Sequence, residues 1–274
     1  MINWVNVSGG KDSTAMLLWT LDNEIPNCRY VFADTKWEHP ATYEYLDYLQ
    51  EKTGVEIERV ESVGFRELSI QRKMIPSRAR RFCTEELKHF PLSRHMREAE
   101  GDVLHQIFVG VRREESANRA KLDETQFVEV KYQAHGHQKG DSLLKSRQLL
   151  HHPILEWSHD DVFAMHRKHG IDPNPLYQMG MRRVGCFPCI MANFQEMGVI
   201  IKRFPEVVDR VAELEKEVGE ASGKGMASLV AADKLPDYVP LGFRHVAAYL
   251  DKGPEITGLE QDIEGCMSVY GLCE

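Results

Sequence analysis

Asn6-Val7-Ser8-Gly9-Gly10-Lys11-Asp12-Ser13-Thr14 separates a short apolar run, Asn3–Val7, from a helical pattern, Ser13–Leu21. In that pattern Ala15, Leu17, Leu18 and Leu21 are spaced for burial. The expected order is therefore strand, glycine turn, helix. Gly9 and Gly10 allow positive φ and close backbone approach to an anion. The following helix directs its unpaired N–H groups and positive dipole end at the same place. Ser8, Ser13 and Thr14 add hydroxyls, and Lys11 adds a mobile cation. Together they suit the pyrophosphate of a nucleotide. The spacing is neither G-x-x-x-x-G-K-[ST] nor G-x-G-x-x-G.

Further along, Tyr30–Ala33 reads as a second strand, and a helix is expected from Pro40 to Gly54. Val55–Val60 alternates as a strand near a sheet edge. Thr84–Glu100 reads as one helix closed by Gly101, and His105–Gly110 as a fourth strand. This alternation predicts an α/β fold with a doubly wound, mostly parallel sheet. Ligands on such sheets bind at the carboxyl ends of the strands. Residues 120–150 show no clear period and read as an insertion or flexible segment. Ser158 and Asp161 form a capping box for a helix over His159–His169. Asp172-Pro173-Asn174-Pro175 is a turn. Phe194–Gly219 reads as one or two amphipathic helices, Gly219–Gly225 as a loop, and Leu241–Asp251 as a short helix. The expected division is a nucleotide-binding domain over 1–192 and a helical extension with a cysteine-bearing tail over 193–274.

The chain has 274 residues, 42% hydrophobic and 28% charged, with a formal charge of −8. That composition describes a soluble globular protein. The acidic balance argues against a protein that coats nucleic acid with its whole surface. Arg72, Lys73, Arg78, Arg80 and Arg81 form a local basic run that suits a nucleic-acid backbone or a solvated face. Met1–Trp4 does not open a signal peptide, and no apolar stretch approaches the ~20 residues of a membrane span. A cytoplasmic location without a membrane partner is expected. Six cysteines then read as thiols, metal ligands or catalytic groups rather than disulfides.

Three further motifs extend the glycine loop. Asp34-Thr35-Lys36-Trp37-Glu38 follows the second strand. Cys83-Thr84-Glu85-Glu86-Leu87-Lys88 opens the third long helix. Gly110-Val111-Arg112-Arg113-Glu114-Glu115-Ser116, with Arg119, follows the fourth strand. Arg81 and Lys88 flank Cys83 with positive charge, which favours its thiolate. The arginine forks suit phosphate or sulfate oxygens.

With these motifs the sequence resembles the phosphoadenosine phosphosulfate (PAPS) reductase family of the PP-loop adenine nucleotide α-hydrolases. It is also similar to phosphorothioation-type sulfurtransferases. Ser8–Ser13 matches the PP-loop. Asp34–Glu38 matches a D-T-G-x-E segment, with Lys36 in the place of glycine. Cys83–Lys88 matches C-T-x-x-L-K, and Gly110–Arg119 matches G-x-R-x-x-E-S-x-x-R. Pro153–Trp157, Asp161–Phe163 and Asn174-Pro175-Leu176-Tyr177 also match, and their apolar members read as packing. The resemblance implies ATP and Mg²⁺ as ligands. Ser8, Gly9, Gly10, Lys11, Asp12, Ser13, Asp34, Thr35, Glu38, Gly110, Arg112, Arg113, Glu115, Ser116 and Arg119 would bind them. Lys11, Asp12, Cys83, Lys88 and Arg112 would serve the chemistry.

Gly185-Cys186-Phe187-Pro188-Cys189 is a C-x-x-C, and Cys266 and Cys273 lie in the tail. Such a pair suits one metal, one cluster or a redox dithiol. The resemblance implies a [4Fe–4S] cluster on Cys83, Cys186 and Cys189, with Cys266 or Cys273 as the fourth ligand. A rival set is structural zinc on Cys186, Cys189, Cys266 and Cys273. Cys28 reads as core. The histidines are scattered; His135 with His137, and His151 with His152, suit a metal, but they read better as solvent-facing loop residues.

Three functions remain open at this stage. One is an ATP pyrophosphatase-type enzyme that adenylates an acceptor for sulfur transfer, the acceptor being a nucleic acid or a sulfur carrier. The second is a sulfonucleotide reductase with a cysteine nucleophile and a thioredoxin-like reductant. The third is a non-catalytic nucleotide-binding module with structural zinc. The intact Lys11 and Asp12, and a tail ending Leu272-Cys273-Glu274 rather than Glu-Cys-Gly, favour the first.

Overall fold

The computed structural model describes residues 1–132, 143–230, 236, 239 and 241–252. Its strands are β1 (Asn3–Asn6), β2 (Cys28–Asp34), β3 (Ile57–Glu61), β4 (Leu104–Phe108), β5 (Thr125–Tyr132) and β6 (Leu144–His151). They form one sheet in the order β3-β2-β1-β4-β6-β5. Neighbours pair in parallel except β5, which lies antiparallel to β6 at one edge. β3 is the other edge, as its alternation predicts. Successive residues of each strand feed opposite faces. Val5 and Phe32 join Leu17, Leu18 and Leu46 on one side. Trp4 and Val31 join Leu92, Met96 and Leu150 on the other. Each fully buried aliphatic side chain contributes about 2 kcal/mol, so burial on both faces holds the expected doubly wound α/β sheet.

Helix α1 (Lys11–Asp22) follows β1, and α2 (Pro40–Thr53) follows β2. Pro40 opens α2, His39 Nδ1 accepts from Ala41 N, and Gly54 closes it at φ 73°. α3 (Phe65–Gln71) follows β3. The single helix expected over Thr84–Glu100 is instead a short turn, α4 (Phe82–Thr84), a π-helical turn over Glu85–His89, and α5 (Phe90–Glu100). The wider turn leaves Lys88 buried. α6 (His159–His169) begins on the predicted Ser158–Asp161 capping box and ends at Gly170. α7 (Pro175–Gln178) is a single turn capped by Asn174.

The 120–150 stretch, expected to be irregular, carries β5 and β6, and residues 133–142 lie outside the described residues. β6 is hidden in the sequence because its inward positions include Ser146 and Gln148. Gln148 Nε2 donates to Ser93 Oγ at 2.9 Å and to Ser146 Oγ at 3.0 Å. A strand face filled by polar side chains leaves no hydrophobic alternation to read. β5 does alternate, with Val128, Val130 and Tyr132 between Glu129 and Lys131. His151 and His152 are not surface loop residues either. His151 ends β6 and stacks on Phe108, and His152 is buried. His135 and His137 lie outside the described residues.

The expected amphipathic region after residue 193 is two helices, α8 (Phe194–Arg203) and α9 (Glu206–Ser222). Pro205 separates them: Phe204, just before it, leaves the helical region at φ −134°, ψ 67°. α9 runs into the segment expected to be a loop and stops at Gly223. α10 (Phe243–Asp251) follows. The apolar faces of these helices share one cluster with Trp37, Phe65, Leu87 and Phe187. No helix among the described residues is long and apolar enough to cross a membrane.

Gly110, just past β4, lies against the first turn of α1. A Cβ there would stand 2.6 Å from Asp12 O and 2.9 Å from Ser13 Cα. The obstacle is backbone, so it cannot rotate away. Gly110→Ala should lower unfolding free energy by roughly 2–3 kcal/mol, as overpacking does; urea titration checks this, and an unchanged midpoint would contradict the packing.

Candidate nucleotide and thiol site

The sheet order reverses between β1 and β4, so the loops after both strands open on one crevice. Gly9 takes φ 79°, and Gly10 caps α1 in an extended conformation. Ser8 Oγ and Ser13 Oγ are 2.9 Å apart, Ser8 N donates to Ser13 Oγ, and Ser13 Oγ reaches Gly10 O at 3.1 Å. These bonds fold the loop tightly around the start of α1.

Asp12 is fully buried. Its carboxylate pairs with Lys11 Nζ and accepts from Arg112 Nε at 2.5 Å. Burial opposes the charge on Arg112, but Asp12 and the neighbouring glutamates offset this and hold the guanidinium above its ordinary value. Removing one partner of such a buried pair typically costs about 3–5 kcal/mol. Arg112 Nη1 also reaches Glu114 at 2.9 Å, and Glu115 accepts from Arg112 N and pairs with Arg119. Ser116 Oγ accepts from Arg119 N. Arg113 faces away from this knot. It donates to Ala120 O and Leu122 O, both at 2.7 Å, and pairs with Glu156. Its fork closes the 113–122 loop.

After β2, Asp34 Oδ1 accepts from Lys36 N at 2.7 Å and from Tyr43 OH at 2.8 Å. Lys36 has φ 55°, the left-handed conformation for which glycine is suited. Glu38 is buried and accepts from Thr35 Oγ1 at 2.6 Å and Tyr43 OH at 3.2 Å. Burial pushes its carboxyl above the ordinary range, against the opposing charge of Lys88. Thr35 Oγ1 also lies 3.4 Å from Cys186 Sγ. The acidic loop after β2 therefore adjoins the C-x-x-C.

Cys83, Cys186 and Cys189 line one small pocket with Arg81, Lys88 and Phe65. Segments a hundred residues apart thus bring three thiols together. None is in a disulfide. The thiols surround the pocket rather than a point: among the described residues no three His, Cys, Asp or Glu side chains are grouped tightly enough to hold one metal ion. Three soft sulfur donors around a shared space fit an iron–sulfur cluster by donor type. Cys266 and Cys273 lie outside the described residues. Cys28 begins β2, half-buried, and burial pushes its thiol up.

Several residues not singled out in the sequence hold the loop. Tyr177 OH accepts from Lys11 N at 2.9 Å, Asn174 Nδ2 donates to Gly9 O at 3.1 Å, and His166 Nε2 bonds Lys11 O at 2.9 Å. Asn174 and Tyr177 belong to the Asn-Pro-Leu-Tyr motif, whose apolar members alone read as packing, so the signal was present in its polar members. Trp37 ties the thiol loop in place: Phe187 N donates to Trp37 O at 2.7 Å, and Trp37 Nε1 to Pro188 O.

Such an assembly defines an α/β nucleotide-site protein whose glycine loop and thiol pocket are linked through Tyr177. The phosphoadenosine phosphosulfate reductase domain matches residues 2–192, and the chain belongs to that family. It is 33% identical, over its whole length and 97% of the relative, to a 37.8 kDa protein from the gpa 5′ region of Escherichia phage 186. A Methanocaldococcus jannaschii protein is 32% identical over 81% of this chain, which spans 43% of that relative. The adenosine 5′-phosphosulfate reductase of Neisseria meningitidis serogroup B is 34% identical over 40% of this chain and 37% of the enzyme.

Burial lowers the pKa of His166, against the opposing influence of its bond to Lys11 O. A depressed folded value means the unfolded chain takes the proton first. The neutral ring's stabilisation is complete above about pH 6.5 and is lost as pH falls below it. The stability advantage of the parent over His166→Asn should therefore shrink between pH 7.5 and 5.5. A difference independent of pH in urea titrations would refute this assignment.

Proposed function

We propose that the chain is an ATP-consuming, PP-loop enzyme that adenylates an acceptor for sulfur transfer, with a cluster held on the three-thiol pocket. The observation that carries this reading is that Tyr177 bonds Lys11 N, in the charged knot of Lys11, Asp12 and Arg112 at the glycine loop, and packs on the same apolar cluster as Cys83, Cys186 and Cys189, which share one pocket. An acceptor oxygen attacks the α-phosphorus of ATP. The bond from that phosphorus to the β-bridging oxygen breaks, and pyrophosphate leaves with the electron pair. A sulfur nucleophile then displaces AMP from the acceptor. Lys11 and the backbone N–H groups of the loop neutralise charge developing on the phosphates, the main requirement of such a transfer. Mg²⁺ would share that neutralisation. Cys83, Cys186 and Cys189, with a tail cysteine, would hold the [4Fe–4S] group, which supplies sulfide binding or relay when present. The acceptor is a nucleic acid or a sulfur-carrier group.

The family match and the adenosine 5′-phosphosulfate reductase relative support a second reading. There a cysteine thiolate attacks the sulfur of a sulfonucleotide and the nucleotide phosphate leaves. A dithiol reductant then releases sulfite and becomes a disulfide.

Two assays separate the readings. Under the first, ATP yields AMP and pyrophosphate when acceptor is present, and Lys11→Ala lowers the rate at least 100-fold. Sulfite release from adenylyl sulfate with a dithiol, and no use of ATP, would establish the second. Anaerobically purified protein should carry about four iron and four sulfide, and Cys186→Ser should lose both. Colourless, iron-free protein with one zinc would overturn the cluster.

A further inference from the structure

Arg210 lies on α9, outside the span matched by the family domain. Its guanidinium carbon sits 3.7 Å from the centroid of the Trp37 ring. Trp37 is itself buried, stacked on Phe65 at 5.1 Å, and tied through its indole N–H to Pro188 O between the two thiols. The arginine platform is thus continuous with the cysteine loop.

The charge of Arg210 is not neutralised in the way of its counterparts. Arg29, Arg112, Arg119 and Arg183 each pair with a carboxylate. Arg210 makes no ion pair and no hydrogen bond among the described residues. It is half-buried, and burial lowers its pKa, while Glu38, Tyr43 and Cys186 act in the opposite direction. Stacked on one indole and partly desolvated, it leaves its N–H donors uncommitted among the described residues. Five such donors in a planar fork match a tetrahedral oxyanion. Stacking fixes the plane of that fork in advance, so little rotamer freedom is lost on binding. Its neighbours locate it: Cys186 lines the thiol pocket, and Glu38 lies against Cys186.

We propose that Arg210 is an anion-binding residue that receives a phosphoryl or sulfonyl oxyanion of the second substrate at the thiol pocket. The assignment rests on reading this end of the sheet as the active site. It makes the extension after residue 193 part of the site, supplying a substrate contact that the family domain alone lacks.

The test reads anion binding, so it does not depend on turnover. In full-length Lys11→Ala protein, which weakens anion binding at the glycine loop, sulfate and phosphate are titrated separately by the rise in Tm. Arg210→Met keeps the stem over Trp37 and removes the fork. Its apparent Kd for the preferred anion should rise at least tenfold, and Arg210→Lys, which keeps the charge but loses the fork, should fall between. With Lys11 restored, Arg210→Met should still bind ATP. Preference for sulfate would assign a sulfonyl-bearing substrate, and preference for phosphate a phosphoryl-bearing one. Equal anion affinity with and without Arg210, or no binding of either anion, would overturn the proposal. Should Arg210→Met fail to fold, Arg210→Lys decides alone, and a Kd unchanged within twofold counts against it. Absence of ATP turnover alongside Arg210-dependent anion binding would defeat the adenylation reading and leave this one standing.

Discussion

The fully buried carboxylate of Asp12 constrains much of the site. It is placed at the first turn of α1, where water cannot reach it, so it needs positive charge from the protein. Lys11 supplies one partner locally. Arg112 supplies the other from the end of β4, a hundred residues later. That second bond is possible only because Gly110 lets the β4 backbone pass against α1 without a side chain between them. The same loop is buttressed from the far side by Asn174, Tyr177 and His166. The glycine loop is therefore a junction of three chain segments, and its shape is determined by contacts far beyond its own sequence.

A second constraint holds the thiols. Thr35, Glu38 and Tyr43 form a buried acid–hydroxyl cluster after β2, and Cys186 lies against it. Trp37, inside that segment, holds Phe187 and Pro188 through backbone and indole hydrogen bonds. The π-helical turn then brings Lys88 inward, opposite Glu38 in charge. Widened helical turns of this kind are frequent at functional sites. The helices after residue 193 complete the enclosure by packing their apolar faces on Trp37, Phe65 and Phe187. They share that core with the matched domain rather than forming one of their own, which is why Arg210 stands at the site at all.

Much of the fold was legible. The Ser8–Ser13 loop, the Pro40–Gly54 helix and the Ser158–Asp161 cap each rest on local backbone rules, and local rules survive folding. The parallel sheet followed from the alternation of elements. β6 was not legible, because Ser146 and Gln148 fill its buried face and find partners only on Ser93 and on each other. The π turn was also hidden, since its residues are good helix formers and the widening is a tertiary outcome. In the candidate site, the motif residues were marked by their resemblance to family motifs, but the contacts each makes were not legible. Arg112 turns inward to Asp12 while adjacent Arg113 turns away to Ala120, Leu122 and Glu156, and nothing in the pair Arg-Arg distinguishes them.

The sequence by itself determined the strand–glycine loop–helix unit, the doubly wound class of the sheet and the set of chemically competent side chains. Those depend on φ preferences, side-chain periodicity and residue chemistry, all of which act within a few residues. Only the tertiary structure decided that Cys83 meets Cys186 and Cys189 in one pocket, that Asn174 and Tyr177 hold the glycine loop, and that Arg210 stacks on Trp37. These pairings span tens to hundreds of residues. They arise from which faces must be buried together, a property of the whole packed chain.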